Sequence, residues 1–347
     1  MNTNKAVIFA LSLMLMFFLQ TAGCFLKPHG AGKTYPDIVW PKAPETPRIR
    51  FLGIVSKPED FNIHPGVFKK IYHYLAGANE ASIVSPYGVT RDAGGRLYVV
   101  DTFLEIVHVF DPGANTCFTF PAGRKVNVAF IGIAADDKRG LIYLSDSKQG
   151  VVKIFSNTGK QEAKVLGEGM LKRPTGIAVN PKTSELLVVD TVQARVFRFD
   201  LSDYSEKGSF GGNGKTDGRF HYPTNIAVTP AGNIVVSDSL NFRVQVFSRE
   251  GRFLMKFGRI GQSPGCFSRP KGVAVDSDGN IYVVDALFDN IQVFDKSGRL
   301  LMAFGGHGAG YGEFWLPTGI YIDKNDIIYV SDFYNRRLQM FQYLKGD

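Results

Sequence analysis

Six aspartates recur along the chain at Asp101, Asp146, Asp190, Asp238, Asp285 and Asp332, each 44 to 48 residues after the one before. Carboxylates held at one repeated position can converge on a metal ion, so these residues are the first to weigh for chemistry. Each closes a short apolar run, and three copies add side chains that bind carboxylates: Asp238–Asn241–Arg243, Asp332–Asn335–Arg337 and Asp190–Arg195. One hydrogen-bonded tie per unit, from the aspartate to the loop beside it, accounts for that pattern, and the six are assigned as structural. Other chemistry-bearing residue types are sparse. The histidines are His29, His64, His73, His108, His221 and His307, and the cysteines are Cys24, Cys117 and Cys266. Neither a CxxC pair nor a Cys/His zinc spacing occurs.

The elements that must position these residues are written in the repeat itself. "GNIYVVDALFDNIQVF" (279–294) nearly restates "GNIVVSDSLNFRVQVF" (232–247). Ahead of each aspartate stands a phrase of small residues, "PYGVT", "FIGIA", "PTGIAV", "PTNIAV", "PKGVAV" or "PTGIYI", whose glycine or asparagine lies 13 or 14 residues upstream. Within one unit the apolar runs 272–275, 281–285, 291–294 and 300–305 are separated by "DSDG", "ALFD" and "DKSG". Asp-Gly and Ser-Gly pairs turn hairpins because glycine accepts positive φ. The runs are almost continuously apolar, as strands buried on both faces should be. Four strands per unit and a period in the forties define a propeller blade, and six copies predict an all-β, six-bladed β-propeller of four-stranded blades. Gly88, Gly132, Gly176, Gly272 and Gly319 are expected where inner strands crowd at the axis, and Pro86, Pro174, Pro223, Pro270 and Pro317 open those strands. The sixth copy ends four residues after "LQMFQY" (338–343), too early for an outer strand. "PRIRFLGIVS" (47–56) has the character to supply it and close the ring without an open edge.

Over roughly residues 85–343 the chain resembles NHL repeats, through the Asp-x-x-Asn and Arg pattern quoted above. NHL relatives are commonly interaction modules, so the resemblance implies a binding function. Amidating lyases of this fold hold zinc through histidines at the starts of inner strands, where this chain has Tyr87, Thr175, Thr224, Lys271 and Thr318. Lactonase-like propellers hold calcium with Glu, Asn or Asp near the same place, and Asn225 is the matching residue here. The resemblance therefore implies no metal and no other cofactor, with a calcium-dependent lactonase-like or other hydrolase using Asn225 as the alternative.

The first residues read as export machinery. Lys5 precedes the apolar run Ala6–Gln20, which is short for a membrane span, and "TAGC" ends at Cys24. This resembles a bacterial lipoprotein signal: residues 1–23 are removed and Cys24 is lipidated, the alternative being secretory cleavage that leaves a plain thiol. Phe25 rather than an aspartate follows, which fits retention in an outer membrane, so the expected location is the bacterial cell envelope. Residues 24–46 read as a Pro-rich tether, 47–347 as the propeller, and 57–85 as an insertion with the apolar spacing of a short helix. Net charge is +8, and +7 once Lys5 is removed. Export excludes nucleic acid and leaves anionic headgroups or surface polysaccharide as the charge-matched partners. Cys117 and Cys266 fall in blades far apart and are expected as free thiols.

In a propeller the loops between second and third strands, and those joining one blade's outer strand to the next inner strand, emerge around one mouth of the channel. The glycine-rich connections "GGNGKTDGRFHYP", "GRIGQSPGCFSRP" and "GGHGAGYGEFWLP" are read as structural, each tucking a phenylalanine (Phe220, Phe267, Phe314) beneath the next blade. The remaining decoration on that face is apolar and basic. Asn225, Phe103, Phe242, Phe288, Phe333, Tyr334, Lys271 and Arg336 are the candidate binding residues, for an envelope protein or an anionic surface polymer met by a monomeric propeller.

Overall fold

The computed structural model describes residues 34–61, 63, 82–121 and 127–345 and consists of six antiparallel sheets. Five sheets are four-stranded and follow chain order from inner to outer strand, one per repeat. The inner strands are Pro86–Arg91, Phe130–Asp136, Pro174–Asn180, Pro223–Val228, Pro270–Val275 and Pro317–Ile322. Each contacts the next, and the sixth returns to the first, so the chain is a closed six-bladed propeller. Second strands such as Leu97–Asp101, Ile234–Asp238 and Ile281–Asp285 are buried along their whole length. Their side chains fill the gaps between neighbouring sheets, as where Val235 and Val244 of blade four pack with Val273 and Val283 of blade five.

The sixth sheet is completed from the other end of the chain. Ile49–Val55 pairs antiparallel with Arg337–Tyr343, running from Ile49 opposite Tyr343 to Val55 opposite Leu338, so an N-terminal strand closes the ring. Val39–Trp40 adds a fifth strand beyond it. Those two residues fall inside the segment expected as a tether, and Tyr35, Ile38 and Trp40 pack against the blade-six core. Residues 34–40 are thus docked on the propeller. Of the expected insertion, Pro58–Phe61 forms a 3-10 turn, while residues 64–81 and Cys24 lie outside the described residues.

The inner-strand glycines have a sharper reason than crowding at the axis. A Cβ on Gly319 would stand 2.0 Å from the Tyr87 carbonyl oxygen, and one on Gly132 would stand 2.1 Å from that of Thr175. The collision is with the backbone of the next inner strand, which sets how tightly blades can close around the channel. Phe220, Phe267 and Phe314 are fully buried as expected, each bridging back to the start of its own connection at Asn213, Ile260 and His307. No disulfide joins Cys117 to Cys266, and Cys266 is buried.

Candidate functional site

The six aspartates do not form a metal ring. Each accepts backbone N–H groups from the residues just before its own inner strand. Val84 and Ser85 donate to Asp101, Ala129 to Asp146, Lys172 and Arg173 to Asp190, His221 to Asp238, Ser268 and Arg269 to Asp285, and Trp315 to Asp332. Side-chain partners vary around the ring. Arg243 Nε reaches Asp238 and Arg337 Nε reaches Asp332, both at 2.8 Å, and Lys153 Nζ lies 2.9 Å from Asp146. Arg195, read from sequence as the partner of Asp190, donates instead to Ser209, and Gln193 Nε2 takes its place at 3.1 Å. Asp285 has amide partners only, with Leu287 N–H as a third. Burial pushes the Asp285 and Asp332 carboxyls above the usual range despite those bonds. At Asp101, burial is outweighed by His108 and three backbone amides, and its pKa falls. Among the described residues no three His, Cys, Asp or Glu side chains gather as a metal-holding group.

Hydroxyls at the same mouth are also taken up in joining blades. Ser145 Oγ donates to the Thr175 carbonyl at 2.7 Å, Thr191 Oγ1 to that of Pro223 at 2.7 Å, and Ser331 Oγ to that of Tyr87 at 2.7 Å. Thr224 and Thr318 donate in the same way to the carbonyls of Lys271 and Pro86. Each bond runs from one blade to the next, so this ring of polar side chains belongs to the scaffold.

What remains at the mouth is basic and aromatic. Lys271, from the inner strand of blade five, lies with Nζ 5.8 Å from the centre of the Tyr87 ring in blade one, and the two side chains meet across the opening. Arg173 stacks on Tyr222, 5.6 Å from its ring centre, and donates to its hydroxyl at 2.8 Å. Burial raises the Tyr87 pKa, Tyr222 adds to that, and the positive charges of Arg173 and Arg269 pull it back down, so all four groups share one neighbourhood. Burial lowers the Lys271 pKa, and Arg269 lowers it further. Among the described residues no ion pair includes Arg173, Arg269, Lys271 or Arg336.

Below this mouth a channel of about 550 Å³ runs between the inner strands and extends to the turns after the inner strands of blades two and three, past Asp136 and Arg139. Asn225 lines it, with its side-chain oxygen accepting the Ile226 N–H at 2.7 Å. At the far end both lining arginines are paired: Arg91 binds Asp323 at 2.7 Å and Arg139 binds Asp136 at 2.9 Å. Burial, with Asp323 and Asp137 nearby, pushes the Tyr321 hydroxyl up to about 12.

The rim residues read from sequence separate into two groups. Phe103 is 73% exposed and Tyr334 51%, and Arg336 is exposed beside them in sequence. Phe242, Phe288 and Phe333 are half-buried, Phe242 packing on the core between blades four and five. Sequence reading missed Val192, Ile260 and Trp315, which are exposed on the same face; Trp315 lies 5.3 Å from Tyr334, ring to ring. Most exposed large apolar residues emerge from loops of this face, and the others, Leu254 and Leu301, lie on outer strands. The turns of the opposite face present none among the described residues. The Tyr87, Arg173, Tyr222, Arg269 and Lys271 cluster was also missed as a group. Its signal lies in the residues flanking the repeat prolines, where Arg173–Pro174, Tyr222–Pro223 and Arg269–Pro270–Lys271 stand in equivalent positions.

The model of a family described as 6-bladed beta-propeller matches residues 215–292 and 276–345. The E3 ubiquitin-protein ligase NHLRC1 of Rattus norvegicus is 36% identical over 86 residues, 25% of this chain and 22% of that protein. The chain spans less than a quarter of the length of the curated relatives it matches. Among solved structures, an auxiliary nutrient binding protein from Bacteroides thetaiotaomicron superimposes with a TM-score of 0.59 at 15% identity, covering 76% of this chain and 70% of that one. Virginiamycin B lyase from Staphylococcus aureus gives 0.56 at 14% identity, covering 75% and 96%. At these identities the structural likeness speaks to fold alone. The chain is a six-bladed β-propeller with NHL-repeat proteins among its relatives.

Proposed function

We propose that the protein is an exported, lipid-anchored binding scaffold that docks an envelope protein or an anionic surface polymer on the loop face around Tyr87 and Lys271. The observation that carries this reading is the sorting of the surface. Exposed apolar side chains (Phe103, Val192, Ile260, Leu287, Trp315, Tyr334) share one face with cations that have no carboxylate partners among the described residues. Apolar patches rimmed by charge are what recognition surfaces present, and aromatic and arginine side chains are their usual anchors. The likeness to an auxiliary nutrient binding protein is compatible with binding. A hydrolase using calcium at Asn225 has less support, because that residue's side-chain oxygen is engaged by a backbone amide and the neighbouring inner-strand hydroxyls hold blades together.

The test places a photo-crosslinking residue at Leu287 or Tyr334, and for comparison at Ser297 in a turn of the opposite face, in the full chain in its own cell. Crosslinks confined to the first two positions are expected. Equal yields at all three, or yields at Ser297 alone, would remove the loop face as the docking surface. Lipidation is tested separately by labelling cells with an acyl analogue, which the wild-type chain should carry and Cys24→Ala should not.

A further inference from the structure

We infer that the mouth of the channel holds a specific oxyanion site, built by Lys271, Arg269 and Arg173, which takes one carboxylate or phosphate group of whatever ligand the loop face recognises. This rests on the binding reading above and names the chemistry of its centre. Lys271 comes from an inner strand and is half-buried, with the Tyr87 ring 5.8 Å away and no acidic partner among the described residues. A half-buried ammonium facing an arginine rather than a carboxylate is an unfavourable arrangement for an empty protein. It becomes favourable when an anion completes it, because an oxyanion beside Lys271 takes charge-assisted hydrogen bonds from the cations around the mouth.

The nearby carboxylates cannot take that part. Asp190 and Asp285 are fully buried, and their oxygens receive the amides of Lys172, Arg173, Ser268 and Arg269. Arg173 is held by Tyr222 with one terminal nitrogen on the tyrosine hydroxyl, which leaves the rest of its fork for a planar acceptor. Tyr87 and Tyr222 supply hydroxyls for neutral hydrogen bonds, and burial keeps the Tyr87 hydroxyl protonated. Lysine and arginine around apolar rings also set the order of selectivity. A compact oxyanion should bind, and a cation or neutral sugar should not.

The experiment is isothermal titration of the full chain with sodium phosphate, sodium sulfate and sodium glucuronate, at ionic strength held constant with sodium chloride. Saturable binding of at least one oxyanion is expected, weakened at least tenfold in Lys271→Met and in Arg173→Ala, and unchanged in the far-face control Lys182→Met. Phosphate binding without glucuronate identifies a phosphate ligand, and the converse a carboxylate. Heat without saturation, or binding indifferent to both substitutions, would overturn the site while leaving the crosslinking result to stand or fall by itself. A second readout guards against misfolding. Lys271→Met should melt at the same temperature as wild type or higher in anion-free buffer, because it removes an unpaired cation. A lower melting temperature would make Lys271 a structural residue and overturn the assignment.

Discussion

The two ends of the channel are made by the same repeat, yet the cations that stand there are partnered differently. At the far end, Arg91 meets Asp323, Arg139 meets Asp136, and Arg96 meets Asp111 at 2.8 Å. At the first mouth, Arg173 stacks on Tyr222 and Lys271 lies over Tyr87, with Arg269 close enough to lower the Lys271 pKa further. Exposed large apolar side chains follow the same division, appearing on the loops of the first face and on outer strands. The difference teaches where to look for function in a molecule whose symmetry hides it. At one end the arginines find carboxylates within the chain. At the other, Arg173, Arg269 and Lys271 have no ion-pair partner among the described residues.

That contrast can be broken most forcefully at the aspartates. Asp332→Ala would strand Arg337, Asn335, Gln339 and the Trp315 amide around a buried hole, and should cost about 3–5 kcal/mol in denaturant unfolding. Next come the arginines of the two ends. Arg91→Ala at the far end leaves the buried Asp323 without its cation and should cost about 1.5–3 kcal/mol. Arg173→Ala at the first mouth should stay within about 0.5 kcal/mol. Equal costs at the two ends would erase the distinction.

A smaller effect, of about 1 kcal/mol or less, separates two aspartates by pH. The folded pKa of Asp101 lies below its unfolded value, so its contribution is present above the unfolded pKa and lost as pH falls through the folded one. For Asp285 the folded pKa is raised, so its charge opposes folding at neutral pH and protonation relieves it as pH falls. Asp101→Asn should therefore destabilise more at pH 7 than at pH 3, and Asp285→Asn should do the reverse. The smallest expected change is in stability for Phe103→Ser, within about 0.5 kcal/mol. Its effect should show instead as lost crosslinking at Leu287.

Most of the fold was legible because the repeat speaks six times. The blade count, the inner-strand glycines, the buried phenylalanines of the long connections and the closing strand all follow from registered copies. The docking of Tyr35, Ile38 and Trp40 was not legible, since proline-rich sequence has no partner to read until the blade-six core is built. The exposure of the candidate residues was legible in part. Phe103 and Tyr334 are exposed on their loops, but Phe242 packs on the core between blades four and five. The Tyr87–Lys271 approach joins blades one and five, four repeats apart in sequence, and no local pattern encodes such a crossing.

The extra strand Val39–Trp40 also sets the direction in which the chain leads away from the propeller. Val39 lies opposite Arg50 and Trp40 opposite Ile49, so the chain upstream of Val39 runs in the direction that Ile49–Val55 takes, toward the loop face, and Tyr35 reaches Tyr311 of a loop there. If Cys24 bears the proposed lipid, ten residues lie between it and Tyr35, a leash of at most about 40 Å. The basic, aromatic face would then look back toward the bilayer rather than away from it. Whatever it binds would be found in the thin layer next to the membrane.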